Sequence, residues 1–263
     1  MPLTIAHPAA VLLLPRTRLP LSALVVGSMA PDLEYLLRLA PTSTISHTPA
    51  GLALFCVPAG LAVLWLFHRV WLPPLLVSGA DGTGDGTARR PFAFGPHARL
   101  ALVCAAILLG AITHVAWDSF THRYGWMVRH WPLLAEPVGG LPGGLSLPVF
   151  KVLQHGSTLL GLAVIAAVLF RARAAFHRPR AGALWTVAAI MSASALTAVA
   201  FGLQRTGIPT DPHSAARFLG SVFLAFFAAA MILATMAGLL SKPPRHSGRS
   251  PFSTSIRSSR EPL

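Results

Sequence analysis

The chain has 263 residues, of which 54% are hydrophobic and only 11% charged, with a mean hydropathy of +0.62. A soluble domain carries about 25% charged residues, so this composition excludes an ordinary soluble globule and points to an integral membrane protein. The formal net charge of +13 and pI of 11.7 would suit nucleic acid, but the basic residues flank apolar runs, as membrane orientation produces. Nucleic acid is therefore not an expected partner.

Residues 1–49 do not read as a simple span. The start, MPLTIAHPAAVLLLP, lacks a positive region, and Arg16 and Arg18 precede a short apolar run from Leu19 to Ala30. That run resembles the core and cleavage site of a signal peptide. It is followed at once by Pro31, Asp32 and Glu34, however, and a leading Pro with acids in the first turn starts a helix. The expectation is a broken or re-entrant segment over Leu19–Leu39, tolerated where it is buried in protein or lines a polar cavity.

Five full spans follow, at about 51–71, 100–117, 149–170, 181–203 and 218–240. Each is apolar and about as long as a bilayer requires, the second being the shortest. The fold expected is all-α: a polytopic helical membrane domain over residues 1–240, with a disordered basic tail over 241–263. Between the first two spans the linker GADGTGDGTARRP is Gly- and Asp-rich, but it lacks the strand-to-helix context of a phosphate loop and reads as a flexible connection. The stretch from Ser119 to Pro148 carries Trp126 and Trp131, suited to an interface, with Gly and Pro expected to prevent regular structure. Cys56 and Cys104 lie in apolar runs without metal-type spacing, so they read as packing residues.

Basic residues set the orientation. Arg69, Arg89, Arg90 and Arg99, then Arg171, Arg173, Arg178 and Arg180, then Lys242, Arg245, Arg249, Arg257 and Arg260 occupy one side. The alternate connecting loops hold only Arg123 and Arg129, then Arg205 and Arg217. The richer side is cytoplasmic by the positive-inside rule, giving a multi-pass protein of the cell membrane with its C-terminus in the cytoplasm.

Against this background the sequence GAITHVAWDSFTH, Gly110 to His122, stands out. His114, Asp118 and His122 recur at every fourth residue and fan across about 80° of one helical face, provided helix continues to His122. A central Asp in a membrane helix costs roughly 2.5 to 3.5 kcal/mol on insertion scales, so function is the default reading. His7, Asp32 with Glu34, and His47 lie in three further stretches able to reach the same outer face. Singly each has a bland alternative: His7 as a surface residue, Asp32 as a helix-start acid, His47 as a helix cap.

Together, His7, Asp32, His47, His114, Asp118 and His122 form a set of imidazole and carboxylate ligands without thiolate. That chemistry suits a divalent metal, zinc first, with manganese or iron as alternatives. Glu34 is the candidate general base, and Arg123, Lys151 and His155 are candidates to neutralise developing charge.

The motifs AHPAAVLLLP, GSMAPDLEYLLR, ISHTPAG, ITHVAWDSFTH and FKVLQHGSTLLG together resemble a bacterial integral-membrane family defined by a domain of unknown function. More distantly the chain is similar to inner-membrane metal-dependent hydrolases, which share a terminal His, a Pro-Asp motif, a Thr/Ser-His motif and a later His. The ligand order also resembles that of zinc-dependent phospholipases C, although their later HxxxE pair is absent, since Leu159 stands four residues after His155. The resemblance implies a metal site and hydrolysis. The function expected is a metal-dependent hydrolase, acting on a phosphoester in a membrane lipid or lipid-linked substrate. A cation or proton transporter using the same cluster, or a structural membrane protein, are the alternatives.

Overall fold

The computed structural model describes residues 4–14, 18–73, 97–141, 145–172 and 181–240. The Gly- and Asp-rich linker and the basic tail lie outside these residues. The N-terminal part consists of short helical pieces: a 3-10 turn Thr4–Ala6, α1 (Pro8–Leu12), α2 (Leu21–Gly27), a second 3-10 turn Ala30–Asp32, and α3 (Leu33–Arg38). Five long helices follow. They are α4 (Pro49–Trp71), α5 (His97–Thr121), α7 (Val149–Ala172), α8 (Ala181–Thr206) and α9 (Pro212–Leu240). All five contain segments long and apolar enough to cross a membrane.

The N-terminal segment is broken into short helices, one of the two forms expected for it. At 1.5 Å per residue, the seven-residue α2 covers only about 10 Å, far short of a hydrocarbon core about 30 Å thick. The Thr4 hydroxyl donates to Oδ2 of Asp32 at 2.5 Å, so the chain that leaves this point through α1 returns to it after α2. Two glycines make the return possible. A Cβ on Gly110 of α5 would stand 2.6 Å from the Ser28 backbone N, and one on Gly27 would stand 2.7 Å from Ile107 Cα. Helix backbones thus touch where side chains are missing, the small-residue packing of membrane helices.

Gly110→Ala is therefore expected to force α2 away from α5 and destabilise the fold by about 1–3 kcal/mol, as for other overpacked contacts, read as a lower unfolding temperature in detergent. Gly156→Ala is the control. Its Cβ would meet nothing within 4 Å, so helix propensity alone should stabilise by up to about 1 kcal/mol. Equal effects from both would contradict the packing.

Two differences from the sequence reading concern the end of α5 and the stretch after it. Helix runs on past Trp117 to Thr121, and the His122 N–H still donates to the Asp118 carbonyl at 3.1 Å. The Ser119 and Thr121 hydroxyls bond back to the carbonyls of Ala116 and Trp117 instead of breaking the turn. Beyond it, Gly and Pro do not prevent regular structure. The chain forms α6 (Trp126–His130), a 3-10 turn Pro132–Ala135, and an antiparallel pair β1 (Pro137–Leu141) and β2 (Leu145–Pro148). Pro137 and Pro148 face each other at the open end, and the pairing register shifts between Val138 and Leu141, so the ribbon accommodates the residues that argued against it. Val128, Leu134 and Phe150 form a buried cluster that ties α6 and the 3-10 turn to the start of α7.

His47 just before α4 and His122 just after α5 define one end of the bundle. Toward the other end, Val11, Ala23, Leu24, Leu64, Val103, Ala106 and Ile107 form a buried apolar core. Helices α8 and α9 pack chiefly on each other, and Arg205 at the end of α8 donates to the carbonyl of Leu39 at 2.6 Å. The exposed side chains of Trp185 and Leu196 on α8 suit a lipid-facing surface.

Candidate metal centre

Four side chains from three separate stretches meet at this end, two of them from α5. One ligand atom each from Asp32, His47, His114 and Asp118 lies within 4.8 Å of the other three. His114 Nε2 stands 3.4 Å from Asp32 Oδ1 and 3.2 Å from Asp118 Oδ2. His47 Nε2 stands 3.9 Å and 3.6 Å from the same two oxygens. His114 lies seven residues before the end of α5, about 10 Å below it.

Local structure explains why these atoms are presented. The His114 Nδ1 lies 2.7 Å from the Ser28 carbonyl, which can only accept, so the proton sits on Nδ1 and the Nε2 lone pair faces the cluster. That bond exists because Gly27 and Gly110 let α2 and α5 touch. Asp32 is the N-cap residue of α3, yet its side chain makes no capping bond; the carboxylate turns to Thr4 and the cluster, so the helix-start reading does not account for it. Nor does His47 cap α4. Thr48 does so, accepting from the Gly51 N–H at 3.0 Å, while the His47 Nδ1 pairs with the Ser46 hydroxyl at 2.9 Å.

The decisive feature is what these atoms lack. Asp32 Oδ1, His47 Nε2, His114 Nε2 and Asp118 Oδ1 are all buried without a hydrogen-bond partner. Buried polar atoms are normally satisfied, and each orphan costs roughly 1–3 kcal/mol or more when charged. Imidazole lone pairs and carboxylate oxygens converging on one point form a donor set that could hold a metal ion.

The remaining expected residues divide into two groups. His7 and His122 join the site at its edge. His7 Nε2 is 3.7 Å and His122 Nδ1 3.3 Å from Asp118 Oδ1, and the His7 ring stacks on His114 with centroids 3.8 Å apart. Burial, aided by the adjacent His114, lowers the His7 pKa to about 4, leaving it neutral at pH 7.

Glu34, Arg123, Lys151 and His155 lie outside the four-residue cluster. Both Glu34 oxygens are engaged by the 44–46 loop: Oε1 accepts from the Thr44 N–H at 2.9 Å, and Oε2 from the Ile45 and Ser46 N–H groups at 3.2 and 2.8 Å. Arg38 and the Thr44 hydroxyl complete its shell at 2.8 and 3.0 Å. Burial alone would raise its pKa, but these backbone donors outweigh it and hold the carboxyl well below the usual range. Lys151 donates to the buried Gln154 at 2.7 Å, Arg123 lies exposed over the Tyr124 ring, and His155 is exposed on α7.

Sequence reasoning missed the supporting residues Ser28, Ser46 and Thr4. Only the short spacing of Ser46 to His47 hinted at any of them. Cys56, brought round by a π-helical turn over Leu52–Cys56, adds a weak thiol contact to the Ser46 carbonyl at 3.5 Å.

A family model described as Domain of unknown function (DUF4184) matches residues 1–239. The chain belongs to this family. No curated protein and no solved structure matches it significantly. The match takes in every residue of the cluster, while the family's description assigns no activity.

Proposed function

We propose that the chain is a membrane-embedded metal-dependent hydrolase acting on a phosphoester of a lipid or lipid-linked substrate. The observation that carries this reading is the convergence of one ligand atom each from Asp32, His47, His114 and Asp118, with Asp32 Oδ1, His47 Nε2 and His114 Nε2 buried without a hydrogen-bond partner and His114 about 10 Å below the end of α5. At that depth a substrate already in the bilayer can present its polar head. The donor set suits zinc best, with manganese or iron also compatible. A bound divalent ion would polarise a phosphoryl oxygen and lower the pKa of a water toward about 7. In the net reaction, water supplies hydroxyl to phosphorus as the P–O bond to the leaving alcohol breaks, and the alcohol oxygen takes up the proton.

Within this reading Asp32, His47, His114 and Asp118 hold the ion, and His7 and His122 flank it through Asp118. With Glu34 committed to the 44–46 loop, the half-buried His122 is the better placed group for proton exchange. Arg123 and Lys151 are the rim cations available to an anionic head; His155 is given no part.

Two other classes are less well supported. A transporter needs a path through the bundle, but beyond the cluster Val11, Leu24, Leu64, Val103 and Ile107 pack into an apolar core. A purely structural role would rest on the His–Asp approaches of 3.2–3.9 Å within the cluster, most of them longer than a hydrogen bond.

The test combines binding with turnover. Detergent-purified protein should contain near-stoichiometric zinc or manganese and hydrolyse members of a phospholipid and phosphomonoester panel. Restoring zinc to chelated protein at about 100 times its dissociation constant should stabilise by about 2.7 kcal/mol, a rise of about 5–10 °C in unfolding temperature for a chain of this size. A folded preparation that binds no divalent metal and shows no such rise would end the proposal.

A further inference from the structure

Alongside the candidate centre, a cavity of about 180 Å³ runs between α1 and α7. His7 lines it as well as flanking Asp118 and stacking on His114, so the cavity adjoins the proposed metal site across the His7 ring. Apart from His7, its walls are mainly apolar, with Ala9, Ala10 and Leu13 on one side and Leu160 and Val164 on the other. The two hydroxyls that reach it are already occupied: Ser157 and Thr158 both donate to the Gln154 carbonyl, and Ser157 also accepts from the Trp117 indole at 3.2 Å. Close approach shapes the floor, since a Cβ on Gly161 would stand 2.9 Å from the Ala6 carbonyl oxygen.

Three properties select one occupant. The first is direction: α7 starts at the site end, so the lining from Ser157 to Val164 descends about 10 Å deeper into the apolar part of the span. The second is lateral access, because Leu13 is 70% and Leu160 66% exposed at the outer edge, where the span faces lipid. The third is polarity along α7. Lys151 and the buried Gln154 stand at the surface end of the same helix, one to two turns above the cavity lining, while its deep end is Leu160 and Val164. An apolar cavity of about 150 Å³ readily takes up a hydrocarbon.

From this arrangement we infer that the cavity binds one acyl chain of a phospholipid whose phosphate lies at the cluster, fixing the substrate as a lipid instead of a soluble phosphoester. This inference rests on the hydrolase reading for the fate of the phosphate, but the binding itself does not require turnover. Ala10 supplies the probe position. It is exposed and small, so Ala10→Trp fills the groove without touching the four clustered ligands.

The experiment uses zinc-loaded full-length protein in detergent with a phosphatidic acid carrying a diazirine in one acyl chain, and maps photolabelled peptides by mass spectrometry. Labelling should concentrate on the stretches around Ala10 and Leu160 over the lipid-exposed Leu196 of α8, and unlabelled phosphatidic acid should compete whereas dodecane should not. Ala10→Trp should weaken saturable labelling about tenfold, the affinity carried by two buried methylenes, with metal content unchanged. Labelling no stronger than at Leu196, indifference to Ala10→Trp, or equal competition by dodecane would each overturn the assignment. Selective labelling without hydrolysis of any phospholipid would uphold the groove and refute the hydrolase reading instead.

Discussion

Asp118→Asn is expected to strip the protein of bound metal and with it the zinc-dependent rise in unfolding temperature, while leaving the helical fold intact. Asp118 is the one side chain that meets every imidazole of the site: its oxygens lie within 3.7 Å of His7, His47, His114 and His122. The amide is the same size, but replaces a carboxylate oxygen with a neutral nitrogen donor that offers no lone pair to a cation. Loss of even an outer-shell partner typically costs 10–100-fold in metal affinity or activity, so removal of a direct ligand should exceed about 100-fold in both. Elemental analysis and a phospholipid hydrolysis assay on the same preparation measure this, with circular dichroism as the check on fold. An Asp118→Asn variant that keeps wild-type metal and turnover would remove Asp118 from the centre.

The second large effect is expected at Glu34, where substitution distinguishes two roles. As a positioning residue, Glu34 gathers three backbone N–H groups of the 44–46 loop and so sets where His47 stands. Glu34→Ala orphans those donors, of which the Ser46 N–H is the buried one, and at roughly 1–3 kcal/mol for an unsatisfied buried group it should destabilise by about 1–3 kcal/mol. Glu34→Gln is the sharper test. Its amide nitrogen must oppose one of the same N–H groups, so the loop shifts and metal affinity should fall about 10–100-fold, as for other supporting partners of metal ligands. A general base would behave differently: Glu34→Gln would then retain full metal affinity and lose turnover alone. Titrating zinc into both variants, with hydrolysis followed in parallel, separates these outcomes.

Much of the architecture was legible because a bilayer leaves the chain few options. Apolar runs of sufficient length become helices, and the interruption at Pro31 with its trailing acids marked the broken segment that the Thr4 to Asp32 bond closes. The candidate ligands were legible for a related reason: carboxylates and imidazoles inside or beside apolar spans are costly, so each one that persists there calls for a partner. The order of residues is silent on which of them meet. Asp32, His47, His114 and Asp118 converge, whereas Glu34, equally acidic and two residues from Asp32, is absorbed by the 44–46 loop. That division depends on the direction in which a 3-10 turn delivers one carboxylate and the first turn of α3 the other. No periodicity encodes it.

The stretch after α5 shows the same limit. Its glycines and prolines argued locally against regular structure, yet cross-strand pairing and the buried Val128, Leu134 and Phe150 decide the matter through contacts remote in sequence. What the sequence by itself determined is a membrane protein of five apolar helices with a sparse set of metal-type side chains at one end, because burial and helical period act locally along the chain. What only the tertiary structure decided is the set that converges and the support it receives. The close approach of Gly27 and Gly110 brings the Ser28 carbonyl to His114 and turns its lone pair inward, and that depends on backbone proximity between helices some eighty residues apart.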